Sequence, residues 1–202
     1  MDELTYQVSA QNAPGWPAAR ISSGRRVLVL GGSRSGKSRF AEQYLGAGVP
    51  VTYVATAPDY PGDVDWAQRV RQHRERRPAN WSTIETGDPA RILDGAREGA
   101  PVLIDSITTW LSRVMDDCAC WAEELPAESA ERLGAALDAL VGAWAYTDAL
   151  TVAVSDEVGS GIVPESVVVR RFRDALGDLN QRLAAQADEV WLVTAGIPLR
   201  LR

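Results

Sequence analysis

Short apolar runs alternate with longer amphipathic segments along most of the chain, starting near residue 25. Five-residue apolar runs of this kind are typical of buried parallel strands, and the segments between them have helical periodicity. The predicted strands span residues 26–30, 51–55, 101–105, 150–154 and 189–193, and the predicted helices span 37–45, 65–76, 106–115, 129–145 and 165–185. This alternation predicts a doubly wound α/β fold with right-handed crossovers.

Length and composition limit the number of domains. The chain has 202 residues, of which 46% are hydrophobic, which is enough for one sizeable core and too few for two full domains. We therefore expect a single catalytic domain over residues 25–202. Residues 1–24 contain Pro, Gly, Ser and Asn without sustained periodicity and are predicted to form a flexible extension outside the core.

The charge and the apolar content exclude some classes of partner. The formal net charge of −6 argues against nucleic-acid binding, because such proteins carry a basic surface, and an anionic ligand must then be held by local groups. No apolar run of about eighteen residues and no secretory signal occurs, so we expect no membrane span and a cytoplasmic protein. Cys118 and Cys120 are too few for a disulfide framework or a four-ligand zinc site and are expected to be reduced thiols.

The segment GGSRSGKS matches the phosphate-binding pattern GxxxxGK[ST] in full, and it lies between a predicted strand and a predicted helix. Its residues are Gly31, Gly32, Ser33, Arg34, Ser35, Gly36, Lys37 and Ser38. The glycines let backbone N–H groups approach phosphate oxygens closely. Lys37 is predicted to reach the β and γ phosphates, and the Ser38 hydroxyl to ligate Mg²⁺. The alternative is a chance match in a Gly/Ser-rich turn. The motif predicts a P-loop NTPase-like fold, a three-layer sandwich with a mostly parallel central sheet.

Acidic residues follow two predicted strands. Asp105 closes the apolar run 101–105 and suits the second magnesium ligand, although an ordinary helix N-cap is a serious alternative. Asp156 and Glu157 begin a segment with small residues up to Gly161, which is typical of a ligand loop at the carboxyl edge of a sheet. A tight turn that needs glycine explains this second segment about equally well.

His73 is the only histidine, and it lies in an arginine-rich segment of an acidic protein. An exposed polar helix face is the plain interpretation of that segment. However, Arg71, Arg74, Arg76 and Arg77 surround the histidine in sequence, and guanidinium groups bind phosphate well. Nearby cations also favour the neutral imidazole that a nitrogen nucleophile requires. The segment therefore indicates a second anion site, and a phosphoramidate intermediate is chemically plausible there.

Several segments together resemble the bifunctional adenosylcobinamide kinase and adenosylcobinamide-phosphate guanylyltransferase family of cobalamin biosynthesis. They occur in family order and cover nearly everything after residue 25. They are GGSRSGKSRFAE (31–42), YVAT (53–56), RVRQHRERRPANW (69–81), LIDSITTWL (103–111), SDEVGSGIVPE (155–165) and RRFRDALGDLNQRLAAQADEVWLVTAGIPL (170–199). The P-loop is generic, whereas the histidine block and the EVGSGIVPE block are more specific.

The resemblance implies a two-step enzyme that uses Mg²⁺ with GTP or ATP as co-substrate. Its corrinoid substrate, adenosylcobinamide, is first phosphorylated and then receives GMP from GTP through a covalent GMP–histidine intermediate, which corresponds to His73. The resemblance also implies a homo-oligomer, reported as a trimer for family members. The further nucleotide-binding positions implied by the family are Ala55, Thr56, Ala57, Arg74, Glu75, Arg76, Arg77, Glu85 and Asp105.

Three departures from the family pattern limit this transfer. They are the N-terminal segment 1–24, the PDYPGDVDW stretch at 58–66, and Gln72, which stands where some members have a second histidine. Gln72 leaves His73 as the only candidate nucleophile of this type, whereas the altered stretch leaves substrate positioning open. Two alternatives stay open from the sequence: an enzyme that retains a single activity, and a non-catalytic P-loop switch.

Overall fold

One central sheet organises the fold in the computed structural model, which describes residues 24–57, 62, 68, 70–71, 74–96 and 100–202. Its strands are β1 (Arg26–Gly31), β2 (Thr52–Ala55), β3 (Ser82–Glu85), β4 (Val102–Asp105), β5 (Thr151–Asp156), β6 (Glu189–Thr194) and β7 (Ile197–Arg200). They lie in the order β3-β2-β4-β5-β1-β6-β7. All neighbouring pairs are parallel except β6 and β7, which are antiparallel. The predicted α/β class with a mostly parallel sheet is therefore confirmed.

Helices cover both faces of this sheet. They are α1 (Lys37–Leu45), α2 (Pro89–Asp94), α3 (Ile107–Asp117), α4 (Ala127–Tyr146) and α5 (Val167–Gln186), and residues 70, 71 and 74–76 are also helical. Successive side chains of β1 point to opposite faces. Leu28 packs in the core cluster that contains α3, α4 and α5, whereas Val27 and Val29 pack in the cluster that contains α1. The central strands β1, β4 and β5 are largely apolar because both of their faces are buried, which gives the three layers that the short apolar runs predict.

The predicted elements agree with the structure within two residues at each end, apart from the predicted helix 65–76, which lies only partly within the described residues. Helix α1 has the predicted bounds, and the αL backbone of Gly36 marks its start. Helix α3 begins one residue later than predicted, because Ser106 is extended and caps it by accepting the Thr109 N–H through its side chain.

Three elements were missed by the sequence-based prediction: β3, α2 and β7. Strand β3 is a sheet edge whose residues are all exposed, so it lacks an apolar run. Helix α2 is only six residues long, which gives too little periodicity to detect. Strand β7 follows β6 through a two-residue turn, Ala195–Gly196, in which both residues have positive φ. Such turns usually contain Asn-Gly or Asp-Gly, so the Ala-Gly sequence does not indicate a hairpin.

The expected extension at the N-terminus is largely untested, because residues 1–23 lie outside the described residues. Gly24 is described, and its backbone N–H donates to the Asp148 carbonyl at 2.8 Å, so this residue contacts the loop between α4 and β5. The single domain over residues 25–202 stays a prediction. Cys118 and Cys120 are both buried and free. Within the described ranges, none of the helices is long and apolar enough to cross a membrane.

Candidate nucleotide-binding site

The glycine-rich segment 31–38 forms a compact turn between the end of β1 and the first turn of α1. The Ser35 N–H donates to the Gly32 carbonyl at 3.2 Å, and the Phe40 N–H donates to the Gly36 carbonyl at 2.9 Å. Gly36 has φ of 95°, which is in the left-handed region that favours glycine. The turn therefore places the N-terminus of α1 at the carboxyl edge of the sheet, where anionic phosphates bind in such folds.

Gly31 occupies a position with no room for a side chain. A Cβ atom built there would lie 2.4 Å from the Ser35 hydroxyl oxygen and 2.6 Å from the Val193 carbonyl oxygen. A Cβ atom built on Gly32, the next residue, would have no heavy atom within 4 Å. The first glycine of the motif is therefore required by packing against β6, and the second is not.

Lys37 lies between the phosphate-binding turn and the end of β5. Its ammonium forms an ion pair with Asp156 and also donates to the Gly32 carbonyl at 3.3 Å. Asp156 pairs in register with Gly31 across β5 and β1, which explains why the two segments meet. The sequence indicated a ligand loop here without assigning Asp156 to the site. Its signal was an acidic residue at the end of a strand that neighbours β1.

Asp105, at the end of β4, lies beside Ser38. The Ser38 hydroxyl donates to Asp105 Oδ1 at 3.3 Å, and the Tyr53 hydroxyl donates to Asp105 Oδ2 at 2.7 Å. The N-cap of α3 is Ser106, so the alternative interpretation of Asp105 as that cap is wrong. Burial and the Asp105 carboxylate raise the pKa of Tyr53 well above its usual value, and Arg77 opposes them in part. The phenol is therefore protonated and acts as the donor.

The arginines that follow position 73 are held by three different strands and helices. Arg74 forms an ion pair with Glu85 on β3, and Arg76 forms one with Glu42 on α1 at 3.4 Å. Arg77 donates to the Thr83 hydroxyl at 2.9 Å, and its guanidinium carbon lies 3.4 Å from the centroid of the Tyr53 ring. The described part of this segment therefore carries three anchored cations.

A cavity of about 480 Å³ brings the phosphate-binding turn and the arginines together. The predicted site residues that line it are Ser33, Arg34, Ser35, Gly36, Lys37, Ser38, Ala55, Ala57, Arg74, Arg76, Arg77, Glu85 and Asp105. Tyr53, Thr109 and Asp156 also line it and were not predicted. Tyr53 belongs to the YVAT segment, but nothing in the sequence shows which side of β2 faces the cavity.

Four predicted residues within the described ranges do not line this cavity: Gly31, Gly32, Thr56 and Glu75. Thr56 is fully buried, and its hydroxyl donates to the Ser106 carbonyl at 2.6 Å, so it ties the end of β2 to the start of α3. Glu75 is exposed on the helical turn 74–76. His73 and Gln72 lie outside the described residues, as does most of the 58–66 stretch.

The arrangement defines a P-loop nucleotide-binding protein, with a carboxylate beside the P-loop serine and guanidinium groups that line the same cavity. Residues 27–201 match the family described as CobU, cobinamide kinase / cobinamide phosphate guanyltransferase. The chain belongs to this family. It is therefore an enzyme of cobalamin biosynthesis with the kinase and guanylyltransferase activities of the family, and the resemblance noted in the sequence is confirmed.

Curated relatives agree with this assignment. The bifunctional adenosylcobalamin biosynthesis protein CobU of Salmonella typhimurium is 40% identical over 184 residues, covering 87% of this chain and 99% of that protein. CobU of Escherichia coli (strain K12) is 38% identical over 183 residues, with the same two shares. CobP of Pseudomonas aeruginosa is 35% identical over 182 residues and covers 88% of this chain and 97% of that protein.

Solved structures of lower identity show the fold alone. A prototypical ATPase from the type III secretion system of pathogenic bacteria has a TM-score of 0.54 and 12% identity, covering 85% of this chain and 51% of that chain. The type III secretion ATPase EscN from enteropathogenic E. coli has a TM-score of 0.54 and 11% identity, covering 85% and 43%. This chain thus spans about half the length of each ATPase or less, which is consistent with a shared P-loop core.

Proposed function

We propose that the enzyme phosphorylates adenosylcobinamide with ATP or GTP and then transfers GMP from GTP to the product, giving adenosylcobinamide-GDP through a GMP–histidine intermediate at His73. The observation that carries the proposal is the shared cavity. Lys37 of the P-loop and Arg74, the residue that follows His73 in the chain, line the same space. A two-step enzyme needs its triphosphate within reach of both an acceptor and a nucleophile.

In the first step, the acceptor hydroxyl attacks the γ phosphorus, and the bond to the bridging oxygen of the nucleoside diphosphate breaks. Lys37 and the P-loop N–H groups stabilise the charge on the transferring phosphoryl group. Asp156 contacts the Lys37 ammonium and holds it at the carboxyl edge of the sheet. These residues supply positioning and electrostatic stabilisation, which dominate catalysis of phosphoryl transfer.

Ser38 and Asp105 are the residues that would hold Mg²⁺. Their side-chain oxygens lie 3.3 Å apart at the mouth of the P-loop, and both are the hard oxygen donors that Mg²⁺ prefers. Mg²⁺ at such sites neutralises charge on the β and γ phosphates. Among the described residues, no group of three or more His, Cys, Asp or Glu side chains is arranged to hold a metal ion by itself. This fits an ion held by few protein ligands together with substrate phosphates.

In the second step, a nitrogen of His73 attacks the α phosphorus of GTP, the imidazole loses its N–H proton, and pyrophosphate leaves. A phosphate oxygen of adenosylcobinamide phosphate then attacks the same phosphorus, and the P–N bond breaks to restore the histidine. Each displacement has a good leaving group. Arg77 and Arg76 suit the phosphates by charge, and Ala55, Ala57 and Glu85 are the proposed contacts to the nucleoside. Thr56 and Glu75 do not line the cavity, so in this proposal they do not contact the nucleotide directly.

The test uses GTP labelled at the α phosphate and, in parallel, GTP labelled at the γ phosphate, each with Mg²⁺. We expect a protein-bound label from the α-labelled GTP only, labile to acid and stable to alkali, as a phosphoramidate is. His73→Ala should abolish this label and the guanylyl transfer while leaving the kinase activity. Because the chain has one histidine, no other imidazole can carry the adduct.

The other outcomes separate the alternatives. No label from GTP that demonstrably binds would favour a single-activity kinase or a P-loop switch. Loss of both activities in His73→Ala, with an unchanged melting temperature, would contradict the separate roles of Lys37 and His73.

We further propose that residues 25–202 suffice for both activities and assemble as a homo-oligomer, with a trimer as the expected form. Removal of residues 1–24 should then leave both activities unchanged. The exposed sheet edge supports the homo-oligomer, because Ile197 and Leu199 on β7 and Leu201 just after it are 70%, 58% and 57% exposed. Light scattering of the purified protein gives the number of subunits, and a monomer at assay concentration would contradict the oligomer.

A further inference from the structure

Tyr53 on β2 contacts two charged residues that line the cavity, Asp105 and Arg77. Its hydroxyl donates to Asp105 Oδ2 at 2.7 Å, and its ring packs against the Arg77 guanidinium at 3.4 Å. The side chain is only 2% exposed, so the surrounding core fixes its position. Tyr53 therefore contacts both the carboxylate beside the P-loop and an arginine that lines the same cavity.

The sheet register explains why Tyr53 reaches Asp105. Ala55 on β2 pairs with Asp105 on β4, and Tyr53 pairs with Leu103. Tyr53 and Ala55 are two residues apart, so they share a face of the sheet with Asp105. The Tyr53 hydroxyl binds one carboxylate oxygen while the other accepts from Ser38. This contact limits rotation of the carboxylate and keeps Oδ1 directed at Ser38.

Arg77 differs from the neighbouring cations in how it is held. Arg74 and Arg76 are paired with Glu85 and Glu42. Within the described residues no carboxylate pairs with Arg77; it is held by the neutral Thr83 hydroxyl and the Tyr53 ring. Stacking on an aromatic face fixes a guanidinium without neutralising it. Arg77 thus keeps its charge available to an anion in the cavity.

We propose that Tyr53 is a positioning residue with two separable roles: its hydroxyl holds Asp105 toward Ser38, and its ring holds Arg77 on the cavity wall facing a nucleotide phosphate. The proposal rests on the proposed function, because it takes Asp105 and Ser38 as the Mg²⁺-holding pair. The two roles use different atoms of one side chain. Tyr53→Phe removes the hydroxyl and keeps the ring, whereas Tyr53→Leu removes both.

The test measures equilibrium binding rather than turnover. A non-hydrolysable GTP analogue is titrated with and without Mg²⁺, and Mn²⁺ binding to the protein–analogue complex is followed by electron paramagnetic resonance. Tyr53→Phe should weaken Mn²⁺ binding about tenfold, as loss of a residue that orients a metal ligand does, and leave affinity for the analogue without metal unchanged. Tyr53→Leu should also lower the metal-free affinity, to the level of Arg77→Met. Tyr146→Phe, an exposed tyrosine on α4, is the matched control.

Each outcome decides one role. Wild-type Mn²⁺ affinity in a folded Tyr53→Phe would overturn the role of the hydroxyl. Equal metal-free affinities for Tyr53→Phe and Tyr53→Leu would overturn the role of the ring; if Tyr53→Leu unfolds, Tyr53→Met takes its place. If the wild-type enzyme binds the nucleotide analogue equally tightly with and without Mg²⁺, the proposal that Ser38 and Asp105 hold Mg²⁺ is overturned. That outcome would contradict the metal-binding part of the proposed function.

Discussion

The two walls of the cavity are built in different ways. On the P-loop wall, residues 33–38 follow one another along the chain, and their turn is closed by backbone bonds between near neighbours, such as Ser35 to Gly32. On the arginine wall, Arg74, Arg76 and Arg77 are also close in sequence, but their partners come from β3, α1 and β2. The P-loop turn is thus closed largely by bonds within one short segment, with added contacts from β6 and from the Gly196 N–H, whereas the arginine side chains are held by side chains of other strands and helices.

This difference determines how much of a site's geometry a sequence motif can predict. The P-loop pattern specifies backbone angles and a close approach, which are local properties that a short segment can encode. The arginine segment predicts only positive charge, and the side chains of Arg74, Arg76 and Arg77 lie in three different environments. Arg74 is 56% exposed and paired, whereas Arg77 is stacked on a buried ring without an acidic partner among the described residues. Similar residues in one segment are therefore not equivalent in function.

The largest expected effect is on the P-loop wall. Lys37→Ala should lower the rate of phosphoryl transfer by about 10²–10³-fold, because it removes a cation aimed at the transferring group. Initial rates with saturating nucleotide give the measurement. Arg182→Ala is the control, since it removes a partly exposed cation that does not line the cavity and pairs with Asp138 on α4 at 2.6 Å. Retention of more than a tenth of the wild-type rate in Lys37→Ala would contradict the role of this residue.

The next effect compares two cations of the arginine wall. Arg77→Met should slow formation of the guanylylated enzyme by about 10–100-fold, because a charged hydrogen bond contributes about 1.5–3 kcal/mol. Arg74→Met should have a much smaller effect, since Glu85 already neutralises that exposed side chain. Single-turnover labelling with α-labelled GTP measures both. Equal effects would show that the anchoring of Arg77 gives it no special role.

A stability comparison tests the packing of the P-loop. Gly31→Ala should lower the free energy of unfolding by about 1–3 kcal/mol, because its Cβ would collide with the Val193 carbonyl. Gly32→Ala should change it by less than about 0.5 kcal/mol, because that position has open space. Urea titration of both variants gives the difference. If Gly31→Ala is as stable as wild type, β6 does not constrain the loop as described.

The smallest expected effect concerns the exposed ion pair of the arginine wall. Arg74 and Glu85 are 56% and 61% exposed, so water screens their attraction. A double-mutant cycle with Arg74→Met and Glu85→Gln should give a coupling energy below about 1 kcal/mol, and added salt should reduce it. A coupling that is larger and independent of salt would mean that this pair is buried in solution, for example at a subunit interface.

Much of the fold was predictable because its signals are local. Buried parallel strands are apolar on both faces, so β1, β4, β5 and β6 were recognisable from short stretches of sequence. Strand β3 was not, because an edge strand with exposed side chains has no such pattern. The same reasoning applies to the site. Lys37 and Asp105 were predicted from a motif and a strand end and line the cavity, whereas the place of Tyr53 beside them became visible only through the pairing of β2 with β4.

The sequence by itself determined the fold class, the P-loop and the family, because hydrophobic periodicity and the glycine positions act over a few residues at a time. Only the tertiary structure decided which of these residues share a cavity and which partner each charge receives. Thr56 and Asp105 illustrate this. Thr56 follows β2 and Asp105 ends the neighbouring β4, yet the Thr56 hydroxyl donates to the Ser106 carbonyl at the start of α3, whereas the Asp105 carboxylate accepts from Ser38. The physical reason is that strand register and helix packing are set by the whole core, and side-chain direction follows from them.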